Sequence, residues 1–485
     1  MKKLLSFILV FVLIFSCGAV AFAQGEEYIP TVHVTGMANT DLIMDKGLET
    51  EKQVFGAEED DMNTMIQNLV FPLVLFLLGG SEARFAVSLV DAVKPVFEHI
   101  KYDGNGESVY NISIEDEPEI DYDYSTFTYD WRADPMTVAD ELNEFVEKVK
   151  AHYAAEKVNL IAESMGGVMT SAYICKYGYS DLNAVIYRST AMYGLTLIGE
   201  LYTGRFDFEA DELAQYINNF MFGESSQQVI IRSLIRYVAP LIVSPLINKI
   251  DRFFENESEH IYDEFLIDIF GYLPGLWSFV PAEYYEEAKK FMLDEEENAE
   301  LIEKIDVYQY EVRPLINSTI KAMEADGVTV AFVSHYGFSA IPATQSKSYM
   351  ADALIDTRYT SGGATCSDFG KTLGDNYVQA VNDGHNHISP DNIIDASTCL
   401  LPEKTWFVKG MLHTWYSDDY RDLYAYILQM KGEATVYSNP RFPQFLMNSE
   451  DDGTTLPMTE ENMNFNSDKV TFAIAFDFIK GLFQK

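Results

Sequence analysis

An α/β fold, built on a mostly parallel sheet with helices on both faces, is what this 485-residue sequence predicts. Three observations carry that expectation. Short apolar runs of strand character recur between segments whose apolar residues fall at helical spacing. One such run, Val158-Asn159-Leu160-Ile161-Ala162, turns through Glu163-Ser164-Met165-Gly166-Gly167 directly into a helical segment. Hydrophobic residues make up 48% of the chain and aromatics 14%, ample material for a full core.

In chain order, residues 1–23 read as an export signal. Lys2 and Lys3 precede the apolar run Leu4 to Phe15, and Ala21-Phe22-Ala23 fits the small-x-small cleavage rule, so the mature chain would start at Gln24 and be secreted or extracytoplasmic. A competing reading attaches lipid at Cys17, between Ser16 and Gly18, although Phe15 is bulky for that recognition site. Leu69 to Leu78 is apolar but short and interrupted by Pro72, whereas a spanning helix needs ~20 such residues.

Thr31 to Gly36 reads as a strand ending in a turn glycine, and residues 59–100 as two helices parted by Gly79-Gly80. The first of these is nearly apolar towards its end, which predicts burial. Val109 to Ile114 and Phe127 to Tyr129 are strand-like. Val138, Leu142, Phe145, Val146 and Val149 mark a helix over Thr137 to Ala151. Another helix spans Val168 to Lys176, and Ala184 to Arg188 is again a strand. Residues 196–310 break the alternation: acidic, mostly helical and locally very apolar, they form a cap inserted between sheet strands. The sheet resumes at Val328 to Val333 and Thr405 to Val408, followed by a helix at Asp418 to Met430, a hairpin or loop at Ala434 to Met458, and a closing helix from Asp468 to Phe483. The resulting division is signal 1–23, first core part 24–195, cap 196–310, second core part 311–430, and a C-terminal extension 431–485 packing on the core.

Charge and cysteines narrow the function classes. The chain carries 75 acidic and 34 basic residues, a net −41. Such a surface repels nucleic-acid phosphates and anionic headgroups, favouring a neutral substrate or a cationic counterpart, although solubility alone is the simpler account of it. Asp294 to Glu297 and Glu450 to Asp452 read as solvated faces, so no metal and no cofactor is assigned. Of four cysteines, Cys17 leaves with the signal, Cys366 and Cys399 can pair in an oxidising setting, and Cys175 reads as a buried free thiol.

The chemistry centres on Ser164. Ala162-Glu163-Ser164-Met165-Gly166 matches the nucleophile elbow, with Ala in place of the first glycine. The turn is sharp and strained, so positions two before and two after the serine must be small. Met165 N–H then sits at a helix N-terminus, where negative charge is stabilised. A second oxyanion donor fits Met37 in Val34-Thr35-Gly36-Met37, although Gly36 reads equally well as a plain turn glycine.

Serine needs a base. The fold's chain order is serine, acid, histidine. His335 ends a strand, His385 and His387 lie in a polar loop, and His413 follows a strand and precedes a helix, where the base belongs. The acid falls between residue 333 and His413. In Pro390-Asp391-Asn392-Ile393-Ile394-Asp395, Asp391 follows a turn proline and is the first choice; Asp395 is the fallback, with Asp383 and Asp356 behind it.

These residues resemble the lipase branch of the α/β-hydrolases related to lecithin–cholesterol acyltransferase. Val32 to Leu42, VHVTGMANTDL, is similar to that family's oxyanion strand and loop; Tyr129 to Arg132 matches its YDWR segment; Ala162 to Gly167 matches its elbow. Leu273 to Pro281, LPGLWSFVP, resembles its apolar cap, and His335-Tyr336-Gly337 and Pro390 to Ser397 its strand end and acid loop. The likeness spans roughly residues 30–415. It implies an α/β-hydrolase fold and a Ser164–Asp391–His413 triad with Met37 and Met165 as backbone donors. Ala162-Glu163 stands where glycine-histidine is usual, and Asp391-Asn392 where aspartate-glycine is usual.

The expected function is a secreted serine hydrolase cleaving carboxylic esters, lipase- or esterase-like, with transient contact with a lipid interface and no protein partner. An acyltransferase using the same residues, an inactive exported binding protein on a hydrolase scaffold, and a peptidase or amidase are the alternatives.

Overall fold

The computed structural model describes residues 28–55, 79–122, 124–205, 256–413, 419–429, 432–448 and 454–463, with a few single residues between. Its centre is an eight-stranded sheet. In chain order the strands are β1 (Thr31–Val34), β2 (Ser125–Phe127), β3 (Val158–Glu163), β4 (Leu182–Arg188), β5 (Thr329–Tyr336), β6 (Thr405–Lys409), β7 (Phe445–Asn448) and β8 (Thr455–Pro457). Across the sheet they run β8-β7-β6-β5-β4-β3-β1-β2. Every pairing is parallel except β7 with β8. Parallel strands align their C-terminal ends, so the loops after β1, β3, β5 and β6 leave the same edge of the sheet.

Helices cover both faces because the strands are apolar on both. The principal described helices are α1 (Glu82–Phe97), α2 (Pro135–Tyr153), α3 (Gly166–Tyr177), α4 (Ile316–Ala325) and α5 (Asp419–Gln429). Side chains alternate between two cores, as strand geometry requires. Leu160, Ala162, Val185, Tyr187, Val330 and Phe332 join Val138, Leu142 and Val146 of α2, Val168 and Met169 of α3, and Ile320 of α4. Ile161, Ile186, Ala331, Val333, Trp406 and Val408 face the other way, onto Tyr420, Leu423, Tyr424 and Ile427 of α5. Each large aliphatic side chain so buried contributes about 1.5–3 kcal/mol.

Helix α2 starts as its sequence dictates. Asp134 caps it, accepting from Thr137 N, and Pro135 occupies the first turn, where its missing N–H costs nothing. Ala154 closes it in the left-handed region at φ 52°.

Several expectations change. The strand expected at Val109 to Ile114 contracts to Ile112–Ile114 and lies outside the central sheet, paired antiparallel with Leu42–Met44, which also pairs with Lys52–Phe55. Its two isoleucines are only half-buried, too little apolar surface for an interior strand. The C-terminal extension is part of the sheet, supplying β7 and β8: Phe445 and Leu446 are buried and extend the sheet beyond β6. The apolar segment before Gly79 is split: Phe76 is buried, but Phe71 and Leu75 are exposed. Cys175 is exposed rather than buried, and Cys366 and Cys399 are both free thiols.

The described part of the cap is helical, with short helices at Thr196–Leu201, Pro274–Trp277, Tyr285–Met292 and Ala299–Asp306 and a π-helical stretch at Tyr262–Phe270. Two sequence motifs meet where it docks. Gly275 N donates to Arg132 O at 2.9 Å, and a Cβ at residue 275 would fall 2.0 Å from Trp131 O, so only glycine fits. Arg132 is wholly buried and bonded to Asp130 at 2.6 Å, with its guanidinium over the Tyr102 ring. The export signal, most of residues 206–255, Glu450 to Asp452 and the expected closing helix lie outside the described residues. Among the described residues no helix is long and apolar enough to cross a membrane.

Candidate functional site

Ser164 sits between β3 and α3 with φ 52°, a left-handed conformation that a serine adopts at a cost of about 1–3 kcal/mol. Its surroundings enforce it. Ser164 N donates to Arg188 O at 3.1 Å, and Ser164 O accepts from Ala191 N at 2.9 Å and Gly167 N at 3.1 Å. Ala162 is fully buried between Val34 of β1 and Tyr187 of β4. A Cβ at Gly166 would lie 2.2 Å from Val34 O, and one at Gly167 2.5 Å from Thr190 Cβ. The small residues around the serine are therefore imposed by backbone and side-chain contacts on both flanks.

His413, the histidine expected to face the serine, does so. His413 Nε2 lies 2.9 Å from Ser164 Oγ although the two residues are 249 apart in the chain. Its Nδ1 lies 2.8 Å from a carboxylate, but the carboxylate is Asp352, not the expected Asp391. The carboxylate can only accept, so Nδ1 carries the proton and Nε2 is left to accept from the serine hydroxyl.

Asp352 is completely buried and firmly held. Its Oδ1 accepts from Ile355 N at 2.7 Å and Leu354 N at 3.1 Å. The turn requires Ala353 at φ 80°. His413 N donates to Asp352 O at 2.8 Å, so the two residues are joined through main chain as well as side chains. Burial would push this carboxyl up, but His413 and the Ile355 N–H outweigh it and hold Asp352 below the usual carboxylate range.

Asp391 is committed elsewhere. It pairs with Lys409 at 2.9 Å, accepts from Ser389 Oγ at 2.6 Å, and faces Tyr336 Oη. The fallbacks are occupied too. Asp395 accepts from Tyr377 Oη and Ala380 N, Asp383 bonds His387 Nε2, and Asp356 accepts from Thr196 N and Oγ1 in the cap. His387 is buried against Gln444, and His385 stacks on Tyr437, both away from Ser164. Asp352 lay within the correct stretch of chain. The one local signal was its place just after a short strand-like Met350-Ala351.

Of the residues expected to supply oxyanion donors, Met165 adjoins the serine and Met37 follows a glycine packed against it. Met165 follows Ser164 at the head of α3, with φ −60° and ψ −25°. Gly36 presses against the serine: a Cβ there would be 3.0 Å from Ser164 Cβ. Its φ is not in the left-handed region, so close approach rather than turn geometry demands glycine. Met37 follows at the surface, 39% exposed. The loop is tied down by Tyr129 Oη, which donates to Thr35 O at 2.9 Å, and by Thr35 Oγ1, which donates to Phe127 O at 3.0 Å.

Beneath the elbow, Glu163 bonds His33 Nε2 at 2.9 Å and Arg188 Nη1 at 2.6 Å. Burial raises its pKa, but His33 and Arg188 prevail and lower it to about 2. His335 is fully buried, and desolvation, helped by the Arg188 charge, lowers it to about 3. Among the described residues no cluster of three or more His, Cys, Asp or Glu could hold a metal ion.

A hydroxyl bonded to an imidazole, itself oriented by a buried carboxylate, can surrender its proton as it attacks an electrophilic carbon. No family model matches the chain, and no curated protein matches its sequence.

Proposed function

We propose that this chain is a serine hydrolase of the α/β-hydrolase fold that cleaves carboxylic esters through Ser164, His413 and Asp352. The observation that carries the reading is the continuous Ser164 Oγ–His413 Nε2 and His413 Nδ1–Asp352 alignment, at 2.9 and 2.8 Å, assembled from three distant loops at one edge of a parallel sheet. The left-handed serine and the chain order serine, acid, histidine support it further.

His413 takes the Ser164 proton as Oγ attacks the ester carbonyl, and Asp352 stabilises the resulting imidazolium. The tetrahedral oxyanion is received by the N–H groups of Met37 and Met165, each contributing about 3–4 kcal/mol to lowering the barrier. Collapse breaks the C–O bond; the alcohol leaves with the proton from His413. Water, deprotonated by the same imidazole, then releases the acid and restores Ser164. Lipid esters, as in the lecithin–cholesterol acyltransferase-like lipases, are the favoured substrates. Support comes from the apolar cap and from exposed Phe71 and Leu75, suited to transient contact with a lipid interface. The basic start and apolar run within residues 1–23 support an enzyme acting outside the cytoplasmic membrane.

A panel of p-nitrophenyl esters of increasing chain length, with fluorophosphonate labelling, tests this. Wild type should hydrolyse the esters and be labelled, and Ser164→Ala should lose labelling and about 10⁶-fold in kcat. Full activity in Ser164→Ala, or a folded wild type inert to both reagents, refutes it.

A further inference from the structure

Two residues flanking the site take no part in the chemistry, yet one buried polar chain joins them. Glu163 immediately precedes Ser164, and Leu412 immediately precedes His413. From Glu163 the path runs to Arg188 Nη1 at 2.6 Å, whose guanidinium lies over the Tyr420 ring, 5.7 Å from its centroid. Tyr420 Oη meets His335 Nε2 at 2.6 Å, and His335 Nδ1 meets Leu412 O at 3.2 Å. The main chain of His335 adds a third link, since its carbonyl accepts from Thr357 Oγ1 at 3.0 Å, five residues beyond Asp352. His335 thus touches both the segment carrying the base and the one carrying the acid.

The chemistry of the partners fixes the state of this imidazole. A carbonyl can only accept, so Nδ1 bears the hydrogen and Nε2 accepts from the Tyr420 hydroxyl. Burial keeps the ring uncharged across the neutral range. On the flank of the chain, His33, Glu163 and Arg188 border a cavity of about 210 Å³.

We propose that His335 is a positioning residue: its Nδ1–H grips the Leu412 carbonyl and so sets the approach of His413 Nε2 to Ser164 Oγ. This rests on the serine-hydrolase reading. The feature is local to this chain's own pairing of Glu163 with Arg188 and of His335 with Tyr420.

The two nitrogens can be tested separately. The amide of His335→Asn stands near the place of Nδ1 and can still donate to Leu412 O, whereas His335→Gln reaches the place of Nε2. With a soluble ester, His335→Asn should keep kcat within about threefold, and His335→Gln should lose roughly 10–100-fold at unchanged KM, the scale of a small misplacement of reacting groups. The far-downfield proton resonance of His413 Nδ1–H, read by NMR, should persist in the Asn variant and weaken in the Gln variant. Equal kcat and equal resonance in the two variants overturns the proposal. Should His335→Gln not fold, His335→Ala decides, since it removes the Nδ1–H to Leu412 O bond outright: a fall of roughly 10–100-fold in kcat at constant KM is expected, and wild-type kcat overturns the proposal. A wild type inert to ester and fluorophosphonate sinks the hydrolase reading alone, because the resonance still tests whether Nδ1 of His335 positions His413.

Discussion

The loop that carries the serine and the loops that carry its partners are built in different ways. The elbow is local: β3, the left-handed Ser164 and α3 are consecutive, and Ala162, Gly166 and Gly167 are small because β1, β4 and Thr190 crowd them. Asp352 and His413 are non-local, 61 residues apart and hydrogen-bonded to each other, with Leu412, next to His413, bonded to His335, rather than set by a tight turn of consecutive elements. One half is specified by residue size, the other by which acceptor finds which donor. Substitutions should therefore fail differently in the two halves.

The sharpest contrast is between two aspartates. Asp352→Asn should lower kcat by about 10⁴, since the amide can favour the wrong tautomer of His413. Asp391→Asn, in the pair with Lys409, should leave kcat within a few-fold. Steady-state kinetics on both variants checks this, and the reverse ranking would return the acid role to Asp391. On the local side, Gly166→Ala drives a methyl to 2.2 Å from Val34 O and should destabilise the fold by about 3 kcal/mol, read as a lower denaturation midpoint. A neutral result would mean that the elbow is looser than its contacts indicate.

The buried layer joining the halves predicts a smaller, pH-dependent effect. His335 is lowered from 6.5 to about 3, so between those values the unfolded chain binds more protons than the folded one. Stability present above pH 6.5 is lost as the pH falls through that window, by about 2–3 kcal/mol at pH 4.5. Glu163, depressed from 4.5 to about 2, acts in the same direction further down, its contribution present above 4.5 and lost on the way to about 2. Thermal melts at pH 7 and 4.5 should show wild type losing more than His335→Asn; equal losses would remove His335 from the account.

The same division explains what could be read beforehand. Ser164 and Met165 were legible because a sharp turn leaves a mark on adjacent residue types, and the core strands because a parallel sheet demands apolar runs on both faces; Gly36 reads as a turn glycine in sequence, whereas its contact with Ser164 is what demands it. His413 was found from chain order and from its place between a strand and a helix. Asp352 was not. In a chain with 75 acidic residues a single aspartate carries little information, and the proline beside Asp391 was a turn signal that in fact serves a Lys409 ion pair. The hairpin expected within Ala434 to Met458 is present as the antiparallel pair β7–β8, but its place in the central sheet was missed, because β7 is short and gains its parallel partner β6 across a long stretch of chain that local pattern does not register.

One detail of the acid–base pair has a mechanical consequence. Because His413 is fastened to Asp352 by N–H to carbonyl as well as by imidazole to carboxylate, the two residues travel together. Between that pair and the serine a single hydrogen bond spans the gap. On the proposed reading, loss of that contact alone would free Ser164 while His413 and Asp352 stay bonded to each other.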